Sequence, residues 1–150
     1  MRRIGFVAVL GLVLMVFWYG CSKSSTEPAS PSGGGNVNEA EPNDVTPQAL
    51  GGLGSSDYTV TGVTSSGTDV DRFSVTLSGT ANLLAKVSWQ GTGDLDLAIK
   101  NGNGISLTLR DTGTNPESCL LASSPPGTYV VEVTSKQTGA TSYTLTIGPR

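Results

Sequence analysis

The residues best equipped for chemistry in this chain are carboxylates, and they fall in three short groups. Glu39-Ala40-Glu41-Pro42-Asn43-Asp44 places four oxygen-bearing side chains within one short segment. Asp69 and Asp71 follow, spaced so that an extended backbone puts both on one face. Asp94 and Asp96 repeat that spacing. Hard cations such as calcium take roughly six to eight oxygen ligands, and short acidic loops supply them. Glu39, Glu41, Asn43, Asp44, Asp69 and Asp71 are therefore candidate calcium ligands if the two segments meet in space. Apart, each group would serve only to cap a turn in solvent. Asp94 and Asp96 raise the question of a glycosidase pair, which needs two carboxylates across a cleft. Two carboxylates at one strand start more commonly cap a turn, so no catalytic residue is assigned.

The composition excludes several chemistries. The 150 residues include no histidine, so there is no Ser-His-Asp triad, Cys-His pair or histidine-ligated metal. Two cysteines cannot build a four-thiolate site. Serines abound, but no Gly-x-Ser-x-Gly elbow occurs. A net charge of −3, without clustered Lys and Arg, argues against nucleic acid as a partner.

The elements that must position the acids read as strands. Apolar and polar residues alternate in Tyr58 to Val63, Phe73 to Leu77, Leu83 to Trp89, Leu95 to Lys100, Ile105 to Arg110, Tyr129 to Thr134 and Tyr143 to Ile147, and Cys119 to Ala122 is a strand-like run. Ser78-Gly79-Thr80, Gly91-Thr92-Gly93-Asp94, Asn101-Gly102-Asn103-Gly104, Pro125-Pro126-Gly127 and Thr138-Gly139 punctuate them. Asn101-Gly102 marks a hairpin. About eight short strands, each with one apolar face, predict an all-β domain over residues 39–150. The expected form is a two-sheet, jelly-roll-like β-sandwich. In that reading Leu95, Leu97 and Ile99 face the core, as do Ile105, Leu107 and Leu109. Cys119 is expected to be a buried thiol.

The N-terminus has a different character. Arg2 and Arg3 precede an apolar run from Ile4 to Tyr19, which ends at Gly20-Cys21. A basic start, an apolar stretch and a small-residue stop make a secretory signal. The Gly-Cys junction resembles a bacterial lipoprotein signal, which implies cleavage after residue 20 and lipidation of Cys21. An uncleaved anchor helix, ending at the interfacial pair Trp18-Tyr19, is the alternative. Residues 21–38 are rich in Ser, Pro and Gly and have little to bury, so they read as a flexible tether. Either reading tethers the domain to a membrane. By resemblance to lipoprotein sorting, Ser22 and Lys23 after the cysteine favour the outer membrane of a bacterial envelope. Loss of Arg2 and Arg3 would take the net charge from −3 to −5.

Five motifs then occur in a familiar order. Glu41-Pro42-Asn43-Asp44 is followed by Asp69-Val70-Asp71-Arg72-Phe73, Gly93-Asp94-Leu95-Asp96-Leu97, Pro126-Gly127-Thr128-Tyr129 and Ser142-Tyr143-Thr144-Leu145. Together they resemble the bacterial pre-peptidase C-terminal domain. The resemblance spans about residues 39–148. It implies a jelly-roll sandwich, a non-catalytic role beside secreted peptidases, and calcium held by the acidic segment. The expected function is thus a membrane-tethered binding or structural module that takes an unknown polymer or protein ligand. An accessory subunit of a separately encoded secreted or envelope protein is the alternative, and a hydrolase is the least favoured reading.

Overall fold

The computed structural model describes residues 33–150, all of them strand, turn or loop. The expected signal sequence, Cys21 and most of the expected tether lie outside the described residues. Ten strands follow in order: β1 (Gly35–Asn38), β2 (Gln48–Gly52), β3 (Tyr58–Thr64), β4 (Val70–Leu77), β5 (Ala81–Trp89), β6 (Leu95–Asn101), β7 (Ser106–Arg110), β8 (Glu117–Ser124), β9 (Gly127–Ser135) and β10 (Thr141–Pro149). They form two five-stranded sheets, β1-β3-β10-β5-β8 and β2-β4-β9-β6-β7.

Eight of these strands, β3 to β10, are the strand segments expected from the sequence. Their antiparallel order places β3 and β4, β10 and β9, β5 and β6, and β8 and β7 at matching positions in the two sheets. That is the rolled arrangement of a jelly roll. The core is built from the inward position of each alternation, such as Tyr58 and Val60 on β3, Phe73, Val75 and Leu77 on β4, and Leu145 and Ile147 on β10.

Two strands were not legible in the sequence. β1 and β2 pair in parallel with β3 and β4 at one edge of each sheet. Their partners dictate them, because GNVN and QALGG show no apolar alternation of their own. Gly35–Asn38, expected to be tether, is therefore the first strand of the sandwich. Val37 on it packs against the core.

A second difference concerns β7. Ile105, Leu107 and Leu109, expected to face the core, are 61%, 42% and 57% exposed. The register explains this. Thr108 sits opposite the inward Ile99, so Leu109 falls opposite Ala98 on the outer face. A register shift at Ile99/Lys100 then breaks the alternation.

The loops divide between two ends. Residues 53–57, 78–80, 102–105 and 125–126 lie at the end where the chain enters near Gly33 and where Arg150 finishes. Residues 65–69, 90–94, 111–116 and 136–140 lie at the far end.

Candidate metal centre

The acidic segments meet at the far end. Glu39 follows β1 and turns its carboxylate back onto β3, where Oε2 accepts the Val63 amide at 2.8 Å. Asp44 reaches the start of β4, and its Oδ1 accepts the Val70 amide at 3.0 Å. These two contacts fold Glu39–Asp44 across the strand entries. Gln48 holds the loop shut by donating to the Asn38 carbonyl and accepting from Ala40 N.

Asp71 occupies the inward alternating position on β4, in line with Phe73 and Val75. It is 0% exposed, and neither carboxylate oxygen has a donor in hydrogen-bonding geometry. Glu39, Glu41 and Asp71 each bring an oxygen within 4.8 Å of the others. Asn43 is equally buried. Its backbone N–H donates to Glu41 Oε2 at 2.8 Å, and its amide nitrogen donates to Glu39 Oε1 at 3.4 Å. This leaves the Asn43 amide oxygen without a donor.

The electrostatics follow from this crowding. Burial pushes the Asp71 carboxyl up to about 8, with Glu39 and Asp69 adding repulsion and the neighbouring Tyr143 hydroxyl pulling the other way. Glu41 also lies above the usual range. The Asn43 amide lowers it, but burial and the charges of Glu39 and Asp69 outweigh that bond. The Tyr143 phenol is pushed well up by burial and by Asp71.

Of the six residues expected to ligate, four converge: Glu39, Glu41, Asn43 and Asp71. Asp69 and Asp44 turn instead to the backbone. Asp69 Oδ2 accepts the Ser65 amide and closes the β3–β4 loop. Two residues that sequence reasoning missed complete the arrangement. Tyr143 enters from β10, and Gly62, opposite it on β3, leaves room for its ring and for Glu39. Only the β3–β10 register brings them there.

The donor set suits a hard cation. It is all oxygen, it carries three carboxylates, and the buried Asp71 carboxylate oxygens and Asn43 amide oxygen accept no hydrogen bond in good geometry. Calcium bound there would supply the positive charge that Asp71 and Asn43 lack.

Asp94 and Asp96 are arranged differently. Asp96 lies on the outer face of β6, 6% exposed, with Oδ2 held by Lys136 Nζ at 2.7 Å. Burial raises its carboxyl more than Lys136 lowers it. Asp94 stands over Gly113 of the β7–β8 loop. The Lys136 amide donates to the Asp94 carbonyl at 3.0 Å. Cys119 is fully buried as expected, its thiol pushed up by burial and aimed at the Leu97 carbonyl.

Residues 69–135 match the family model of the bacterial pre-peptidase C-terminal domain. The match runs from the entry of β4 to the end of β9, so the acidic segment at Glu39–Asp44 precedes it. Among solved structures, the pre-peptidase C-terminal domain of a Bacillus anthracis collagenase is similar, with a TM-score of 0.56 and 15% identity. That alignment covers 67% of this chain and 92% of the other, and it establishes the shared fold. A Yersinia pseudotuberculosis-derived mitogen aligns with a TM-score of 0.49, 12% identity, and 63% and 86% of the two chains. Aeromonas hydrophila PliG, a periplasmic inhibitor of g-type lysozyme, aligns with a TM-score of 0.42, 13% identity, and 80% and 100%. No curated protein matches this chain.

Proposed function

We propose that this protein is a non-catalytic module of the bacterial envelope, tethered to the outer membrane through Cys21 and stiffened by calcium at Glu39, Glu41, Asn43 and Asp71. Asp71 carries this reading. A strand-borne carboxylate at an inward position, with neither oxygen in good hydrogen-bonding geometry, costs stability as an anion unless a cation meets it. Calcium would join the chain-entry segment to β3 and β4 and so hold the Glu39–Asp44 loop against the sandwich. The module's ligand is a polymer or a protein of the envelope.

Thermal unfolding in EDTA and in millimolar calcium tests the metal. At about a hundredfold excess over Kd, binding adds roughly 2.7 kcal/mol, which corresponds to a shift of about 10 °C for a domain of this size. Coincident melting curves would remove calcium from the function. Intact mass of the membrane-extracted chain tests the anchor, since cleavage before Cys21 and acylation change it in opposite directions.

A second reading is an accessory subunit of a separately encoded secreted or envelope protein. Its support is that the similar solved domain is one part of a collagenase. Chemical crosslinking in intact envelopes, followed by affinity capture, would return one stoichiometric partner if this holds.

A further inference from the structure

The two ends of the sandwich differ in charge and in polarity. The acids of the candidate metal centre, together with Asp94, Asp96, Asp111 and Glu117, all lie at or beside the far-end loops. At the entry end, loops 78–80, 102–105 and 125–126 carry no charged residue. The carboxylate of Asp57 there is matched by Arg150 in a two-point ion pair at 2.7 and 2.6 Å. The same end is tipped with apolar groups. Ile105 is 61% exposed at the β6–β7 hairpin, and Pro125 and Pro126 are exposed in the β8–β9 turn. Beside the Pro125-Pro126 turn an apolar groove of about 430 Å³ opens, lined by Leu107, Leu121, Pro125, Pro126 and Tyr129 among others.

The chain enters at this neutral, apolar-tipped end, by way of Gly33 and Gly35. We infer that the entry end is a lipid-contact surface: the domain stands on a phospholipid bilayer with Ile105 and the Pro125-Pro126 turn in the headgroup layer and its acidic end pointing away. This rests on the reading of Cys21 as a membrane anchor. Anionic headgroups repel the acidic end and leave the neutral end free to approach. Apolar tips at an interface gain by leaving water, and a tether holds them at high local concentration. The orientation also directs the candidate metal centre toward the space beyond the membrane.

The test uses the full chain, extracted with its native N-terminus and reconstituted into phosphatidylethanolamine–phosphatidylglycerol vesicles that contain a spin-labelled quenching lipid. An environment-sensitive dye is attached to Ile105→Cys or, at the far end, to Thr92→Cys. Both sites are exposed, and Cys119 is fully buried. Melting curves matching the parent chain confirm that each variant folds. The expected result is a blue shift at position 105 and quenching at least threefold stronger there than at position 92. Chains that float with the vesicles but quench equally at both positions, or more strongly at 92, would overturn the lipid contact and leave the anchor standing. Chains that fail to float would overturn the anchor, and the lipid contact with it.

Discussion

Gly62 lies directly opposite Tyr143 in the β3–β10 ladder, and the Tyr143 ring occupies the space that a side chain at position 62 would need. A Cβ there would also come within 2.9 Å of Glu39 Oε2. One missing methyl group thus lets an aromatic ring and a carboxylate close over Asp71. Gly62→Ala should destabilise the domain by about 1–3 kcal/mol through overpacking. It should also blunt the calcium-dependent shift in Tm, because Glu39 must move. Differential scanning calorimetry in EDTA and in calcium reads both effects.

Asp71→Asn separates charge from shape. It keeps the volume of the side chain and removes a buried carboxylate that has no donor. In EDTA the variant should melt at or above the parent, by up to about 2 kcal/mol of added stability. In calcium the order should reverse, because the parent gains a cation that the variant holds poorly. A variant that is less stable in EDTA yet retains the full calcium shift would rule out Asp71 as a ligand.

The outer face of the β2-β4-β9-β6-β7 sheet carries a pH-dependent contribution. Glu132 on β9 receives Arg72 Nε at 2.7 Å and Lys100 Nζ at 2.7 Å, from the strands on either side. Burial would raise its carboxyl, but these two cations outweigh that and hold it below the usual glutamate range. A carboxylate with a lowered folded pKa stabilises fully above its unfolded pKa and loses that stabilisation as pH falls through the folded one. Glu132→Gln should therefore cost about 1 kcal/mol at pH 7 and flatten the decline in stability below about pH 4.5. Urea midpoints measured between pH 3 and 7, on the order of 0.5 unit apart, resolve the two curves.

Cys119 should be chemically silent while the domain is folded. Its sulfur is fully buried, and burial keeps the thiol protonated. In a Cys21→Ser background, labelling by an aromatic disulfide should run at least a hundredfold slower in buffer than in denaturant. Fast labelling in buffer would mean that β8 opens readily from the sheet edge.

Much of the architecture was legible before any coordinates. Alternation named the strands β3 to β7, β9 and β10, because a half-buried strand must repeat every second residue, and the short apolar run Cys119–Ala122 named β8. The Gly, Asn and Pro clusters marked the loops between them. The acid-rich stretches at Glu39–Asp44 and Asp69–Asp71 stood out by residue type alone. The edge strands β1 and β2 did not, since GNVN and QALGG are extended by their partners rather than by their own pattern. The inward face of Ile105, Leu107 and Leu109 was the wrong expectation, because alternation reveals a period and not which face meets the core. That choice belongs to the β6–β7 register, which sets Thr108 against Ile99.

The candidate site divides in the same way. Sequence by itself determined that the chain is all-β, that it lacks histidine chemistry, and that its candidate ligands lie in two short segments. Only the tertiary structure decided that Glu39, Glu41, Asn43 and Asp71 converge while Asp44 and Asp69 bond the backbone. It also brought in Tyr143 and Gly62, which no spacing along the chain could connect to Asp71. The physical reason is that ligand geometry depends on register between strands distant in sequence. A shift of one residue in β3 against β10 would turn Gly62 outward and send the whole arrangement to the other face of the sheet.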